Sequence, residues 1–303
     1  MLVKQFLFQI ECQNTLGENV LWHTSEQVLY WTDIQEKELY MWNAESGRTS
    51  SISLPFRMTS FAFTANIGVL LAAFEQGIGL YNIQNGELNW LSSPESNNEH
   101  TRFNDGKCDT QGRYWVGSMV ENGNYNKLDE SEKAALYCLK CEGANKYKSK
   151  RVLSGLHISN GLAFNKDSSI MYHADSPKHK IYAYSLDRNG EIVNKKLFAK
   201  FEKNSFPDGA CVDINENLWT AIWGGAHLAC ISNDGKKLFS YPLPITQPTC
   251  VCIGGPNMDW LFVTSAKDGL SAQQLVRQPK AGNLFVYQLV ESLGRVEPIT
   301  QVM

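Results

Sequence analysis

The chain has 303 residues, with 28 Lys and Arg against 31 Asp and Glu and a formal net charge of -3. That balance excludes the basic field that nucleic acid requires and the polybasic motif of a membrane-surface protein, so the expected partner is a small molecule. An aromatic share of 11% with 8 Trp and 12 Tyr, in short apolar runs broken by Gly, Asn and Asp, predicts an all-β protein with room for a large core.

From the amino terminus, Val3 to Ile10 reads as a strand that pairs with the end of the chain near Phe285 to Leu289 and leaves no edge of the sheet open. No A-x-A-like cleavage site follows it, and no run approaches the roughly 20 apolar residues of a spanning helix, so a cytoplasmic location is expected. Strand pairs then recur. They begin at Val28 to Asp33 with Glu38 to Asn43, then Val69 to Ala73 with Ile78 to Asn82, and Arg113 to Gly117 with Ala135 to Leu139. Three more follow, at Ile170 to Asp175 with Lys180 to Tyr184, Asn217 to Ala221 with His227 to Ile231, and Trp260 to Thr264 with Gly282 to Tyr287. Spacings of roughly 40 to 56 residues are those of propeller blades, and the prediction is one six-bladed β-propeller domain over residues 1–303.

About ten residues ahead of each pair lies a further strand with a polar start. In a propeller these first strands line the central channel in one direction, so equivalent positions form a ring at one mouth: Glu18, Thr59 or Ser60, Asn104, Asn160, Asp208 and Thr249. Two carboxylates and two carboxamides converging on one axis are the oxygen-rich set that a hard divalent cation favours. Asn and Asp also cap turns, and that reading suits Asn43, Asn82 and Asp187. It does not explain a Glu in the ring, so a metal site at the channel mouth is expected.

Chemistry is densest at Arg102-Phe103-Asn104-Asp105-Gly106-Lys107, followed by a strand, a tight turn at Gln111-Gly112 and a second strand. The segment 122–133 is the longest polar insertion within a blade and is a candidate lid. Cys138 and Cys141 have C-x-x-C spacing, but no second pair completes a zinc site, and the remaining thiols in apolar runs read as small hydrophobes. The histidines show no ligand spacing; His100 sits in a loop near the predicted mouth. Ser118 and Ser159 lack a G-x-S-x-G setting, which argues against a serine hydrolase, and Asp175 and Asp213 read as braces of turns.

Taken together, Gly17-Glu18 with Trp22, Arg102 to Lys107, Ser159 to Phe164, Tyr172 with Ala174-Asp175-Ser176, Pro207-Asp208-Gly209, Trp223-Gly224-Gly225 and Gln247 to Cys250 with Gly254-Gly255 resemble one family. It is the family of gluconolactonase, regucalcin (senescence marker protein) and luciferin-regenerating enzyme, and the resemblance covers nearly the whole chain. It implies that Glu18, Asn160 and Asp208 bind one divalent cation, with Ca, Zn, Mg, Mn and Fe not distinguished. It also implies that Arg102 and Asn104 contact substrate and that Asp208 is the acid/base residue. The implied activity is metal-dependent hydrolysis of a sugar lactone to the aldonic acid. A non-catalytic calcium-binding protein, or a phosphotriesterase on the same fold, is the alternative. Two departures stand out. The family's Gly-Glu-x-Pro-x-Trp reads Gly-Glu-Asn-Val-Leu-Trp here, and the two successive glutamates of regucalcin-like members read Glu121-Asn122, which puts Asn122 at a substrate-contacting position.

Overall fold

The computed structural model describes residues 2–123, 128–129, 133–141, 143 and 147–302, apart from the side chains of Asn122 and Cys141. Short runs rich in β-branched and aromatic residues, cut by turn formers, become strands in the order predicted. Strand β1 is Val3–Ile10; β2 (Gly17–His23), β3 (Val28–Asp33), β4 (Glu38–Asn43) and β5 (Thr49–Ser53) form the first sheet. The second holds β6 (Met58–Phe63), β7 (Val69–Phe74), β8 (Gly77–Asn82) and β9 (Leu88–Ser92). The third holds β10 (Thr101–Cys108), β11 (Tyr114–Val120), β12 (Ala134–Cys141) and β13 (Tyr147–Leu156). The fourth holds β14 (Ser159–Phe164), β15 (Ile170–Asp175), β16 (Lys180–Leu186) and β17 (Ile192–Lys200), and the fifth β18 (Phe206–Val212), β19 (Leu218–Trp223), β20 (His227–Ile231) and β21 (Lys237–Pro242). The sixth joins β22 (Pro248–Gly254), β23 (Trp260–Ser265) and β24 (Leu284–Leu289) to β1. Six four-stranded antiparallel sheets in succession make the fold a six-bladed β-propeller.

The pairing of β1 with β24 is as expected, running from Val3 opposite Leu289 to Ile10 opposite Leu284. It leaves β1 itself as the outermost strand of its blade. Lys4 and Gln5 are exposed there, and a lysine on an edge discourages pairing with other chains.

The chain divides into two compact units. One comprises Met1–Ser53 and Phe198–Glu297, the other Leu54–Leu197 and Pro298–Met303. In the first unit β22 packs against both β2 and β18; in the second β10 packs against β6 and β14. First strands therefore meet first strands within each unit, as the ring argument requires of neighbouring blades. Each unit has its own apolar core between blades. Trp22, Trp31 and Phe262 pack with Cys250 and Cys252 in the first, while Phe103, Tyr114 and Tyr137 fill one core of the second. The described cysteines are free thiols, mostly buried among such residues, where burial pushes Cys138 and Cys230 up to about 12. Among the described residues no helix is long and apolar enough to cross a membrane.

Asp109 and Asp213 show how the hairpins are held. Each sits six residues before a buried tryptophan and accepts its indole N–H at 2.9 Å, while also taking N–H groups of its own turn. Asp33 and Asp175 do a different task, each accepting two backbone N–H groups just ahead of a first strand, Thr15 and Leu16 in one case and His157 and Ile158 in the other. The bracing expected of Asp175 and Asp213 is thus observed. The turn-capping expected of Asn43, Asn82 and Asp187 is observed as well.

Candidate functional site

Every first strand carries a register shift in its pairing with the second strand, at or next to the predicted ring position in each blade. The shifts fall between Glu18 and Leu21, Met58 and Ser60, Phe103 and Gly106, Asn160 and Ala163, Pro207 and Ala210, and Pro248 and Val251. A bulge bends the strand and re-aims the side chains beside it. The predicted ring residues are the ones at these bulges. Glu18 and Asn160 are the last paired residues before theirs; Thr59, Asn104, Asp208 and Thr249 lie inside theirs. Asn19 and Gly161, which follow Glu18 and Asn160, take the left-handed conformation with φ of 46° and 61°.

In the second unit, Arg102, Asn104 and Asn160 form one hydrogen-bonded group. Asn104 Nδ2 donates to Asn160 Oδ1 and to the Ser159 carbonyl, both at 3.0 Å. Its own Oδ1 accepts from Arg102 Nη1 at 3.1 Å, and that nitrogen also reaches the Phe103 carbonyl at 2.8 Å. Asn160 Nδ2 donates to Ser176 Oγ at 3.0 Å, so the carboxamide is held at both ends. All three residues are buried. Because the bulge puts Asn104 and Asp105 side by side without a pairing partner, Asp105 also reaches β14, accepting the Leu162 N–H at 2.8 Å. Burial pushes its carboxyl up to about 6, against the pull of that N–H and of Lys107. Gly106 must follow, since a Cβ there would lie 2.5 Å from Ser60 Oγ and 2.7 Å from the Tyr114 hydroxyl.

Arg102 is braced from outside the predicted motif. Its Nε forms an ion pair with Glu121 Oε1 at 3.2 Å. Glu121 is gripped by Arg57, Nη1 to Oε1 at 2.8 Å and Nη2 to Oε2 at 3.2 Å, and Arg57 Nε is bonded in turn to Glu75. Partial burial raises the Glu121 carboxyl, but Arg57 and Arg102 outweigh this and hold it below the ordinary carboxylate range.

In the first unit, Glu18 is half-buried and its Oε2 accepts the Asn19 N–H at 3.1 Å. Asp208 is buried within its bulge, its carbonyl accepting the Thr220 hydroxyl at 3.2 Å. Gly209 after it is pressed on Cys250, where a Cβ would come 2.5 Å from Sγ. The hydroxyls predicted for the ring are committed elsewhere: Thr59 to the Ala73 carbonyl, Ser60 to Tyr114, and Thr249 to the Gly17 carbonyl and Thr264. The Asn122 side chain, and most of the 122–133 segment expected as a lid, lie outside the described residues; the Asn122 backbone is in a short 3-10 turn, Glu121–Gly123.

Ser159 has a histidine partner that sequence spacing gave no reason to expect. Its Oγ lies 2.8 Å from His173 Nε2. The pair does not make a nucleophile for substrate, because Ser159 is fully buried and His173 only 1% exposed. Burial holds the imidazole down to about 4, so it is neutral at physiological pH and serves to fix the start of β14, where Asn160 stands. Arg57, Glu75 and His173 were not singled out as partners of the site from sequence. Arg57 lies in a loop with no motif, and partners distant in sequence leave no periodic signal.

Among the described residues no three His, Cys, Asp or Glu side chains are grouped to hold a metal ion. The predicted set does not need such a group, since one of its members is a carboxamide. Glu18, Asn160 and Asp208 are all oxygen donors suited to a hard cation. With Nδ2 committed to Ser176, Asn160 keeps a lone pair on Oδ1 beyond the one used by Asn104.

Residues 16–267 match the SMP-30/Gluconolactonase/LRE-like region. The chain belongs to this family. One SMP-30/gluconolactonase/LRE-like relative is the 6-deoxy-6-sulfogluconolactonase of Pseudomonas putida, 32% identical over 94% of this chain and 95% of its own. Regucalcin of Sus scrofa is 31% identical over 89% of each. In structure, the calcium-binding protein regucalcin of Agrobacterium tumefaciens superimposes with a TM-score of 0.87 at 25% identity, covering 98% of each chain. The bulges bearing Glu18, Asn104, Asn160 and Asp208 all fall within the matched region.

Proposed function

We propose that the protein is a divalent-cation-dependent hydrolase of sugar lactones. The observation that carries this reading is the buried Arg102–Asn104–Asn160 group, in which two carboxamides at the bulges of adjacent first strands and the guanidinium just ahead of one bulge are pre-set. Membership of a family with lactonases among its relatives supports it. Glu18, Asn160 and Asp208 would hold the cation. Bound there, it supplies Lewis-acid polarisation of the lactone carbonyl.

The chain's own residues do the rest. Asp208 accepts a proton from the attacking water and returns it to the ring oxygen as the ester bond breaks, so the ring opens to a hydroxy acid with no net gain or loss of protons at the carboxylate. Arg102 and Asn104 orient the sugar hydroxyls. Because Arg102 and both carboxamides are held by other protein groups before substrate arrives, little ordering remains to be done on binding.

The test is hydrolysis of glucono-, galactono-, arabinono- and xylonolactone by purified protein, with chelator and after adding back one metal at a time. Turnover that disappears on chelation and returns with one cation is expected. Asp208→Ala should abolish turnover with the melting temperature retained, and Glu18→Gln should weaken cation binding in a calorimetric titration. Near-normal hydrolysis by Asp208→Ala would remove Asp208 from its role. If the wild type binds calcium yet opens none of the lactones, the non-catalytic reading replaces this one.

A further inference from the structure

The acidic and basic groups beside Arg102 form a chain that runs away from the predicted substrate contacts. Arg57 lies immediately before β6, in a different blade from Arg102, and its backbone carbonyl accepts the Glu75 N–H at 3.1 Å. Its side chain joins Glu75 through Nε and Glu121 through both Nη atoms, so each of the three guanidinium nitrogens is engaged. Glu121 then touches Arg102 at 3.2 Å. We propose that Arg57 is a positioning residue for Arg102, acting through Glu121, and so helps to set how tightly the sugar is held. This rests on the lactonase reading above.

The physical argument has two parts. An arginine side chain carries roughly 2 kcal/mol of rotamer freedom. Arg102 Nη1 is fixed by Phe103 and Asn104, but its Nε edge faces a glutamate that is itself partly exposed. Without Arg57 that glutamate has one cation to follow instead of two, and it is free to draw the guanidinium off Asn104. The second part is charge. Two arginines and two glutamates make a neutral cluster, and Glu121 is shared. Its charge is therefore divided between two cations, and Arg102 keeps attraction to spend on electron-rich substrate oxygens. Arg57 does not itself appear in the hydrogen-bonded group with Asn104 and Asn160, so its loss should change holding and not the bond-making step.

Four variants test this in the metal-loaded protein: Arg57→Gln, Arg57→Lys, Glu121→Gln and the double variant Arg57→Gln/Glu121→Gln. Expected are an approximately tenfold rise in KM for Arg57→Gln, equivalent to about 1.4 kcal/mol, with kcat within about twofold, and a smaller rise for Arg57→Lys, which keeps charge but not the fork. The double variant should be no worse than the poorer single one, because both break the same chain. A direct readout uses the Arg102 Nε–Hε resonance, assigned by its absence in Arg102→Lys. Its exchange with solvent should quicken about tenfold in Arg57→Gln, whether or not the protein turns over lactone. An unchanged KM with an active wild type, additive effects in the double variant, or an Arg102 resonance indifferent to Arg57 would each overturn the proposal. An inactive wild type whose Arg102 resonance still responds to Arg57 would instead sink the lactonase reading and leave the positioning role standing.

Discussion

Replacing His173 with Gln should remove a specific part of the protein's sensitivity to acid. The imidazole is buried, lies 2.8 Å from Ser159 Oγ, and is held by burial from its ordinary 6.5 down to about 4. Asp175 pulls the other way and Lys195 and Lys178 add to the depression, but burial dominates. A depressed histidine favours the neutral form in the folded protein. Its contribution to stability is therefore complete above pH 6.5, is lost as pH falls from there, and is gone below about 4. At 1.36 kcal/mol per pH unit the difference amounts to about 3 kcal/mol. Urea denaturation followed by tryptophan fluorescence at a series of pH values between 7.5 and 4 measures it. Carboxylates titrate in the same range, but they do so in both proteins, so the difference between wild type and His173→Gln isolates the histidine. The wild type should lose about 3 kcal/mol more than the variant across that window. Parallel curves would show that the imidazole is not held neutral by the core, and would remove the reason given for the rigidity of β14 at Asn160.

Two further outcomes follow from the packing. Asp109 is fully buried and accepts from Gln111 N, Arg113 N, Arg113 Nε and Trp115 Nε1. Asp109→Ala should cost about 4 kcal/mol in chemical denaturation, because it strands a buried guanidinium, whereas Asp213→Ala, which leaves no cation behind, should cost about 2 kcal/mol; equal losses would contradict the charge argument. Deleting residues 1–10 strips β24 of its outer partner, leaving it paired with β23 alone, and removes the buried Val3 and Ile10 side chains. Losing about 4 kcal/mol of apolar burial should lower Tm by about 10 °C; an unchanged calorimetric Tm would show that β1 contributes nothing to the blade.

Much of the fold was legible because its signals are local. Val28 to Asp33 and Glu38 to Asn43 were read as strands and appear with those same limits, since alternation, β-branched content and turn residues act within a few positions. The first strands were placed by repeat spacing, but β10 and β18 begin three and two residues earlier than read, at Thr101 and Phe206. Pairing resumes on the far side of each bulge, and no sequence pattern announces that. Reading Asn104 and Asn160 as neighbours succeeded because the repeat puts them at equivalent positions of consecutive blades. Glu121 enters the sequence reading only as the neighbour of Asn122, where the family pattern is broken, and Arg57 and Glu75 do not enter it, since their relation to Arg102 crosses three separate segments.

What the amino-acid order determined alone is the number of blades, the pairing of strands within them and the register positions at which polar residues recur. Those depend on side-chain alternation and turn chemistry, which a chain expresses within a dozen residues. Only the tertiary structure decided where those polar groups point and what holds them. A bulge changes which face a side chain occupies, and the partners that then fix it come from remote segments: Ser176 for Asn160, Glu121 and Arg57 for Arg102, and His173 for the serine beside Asn160.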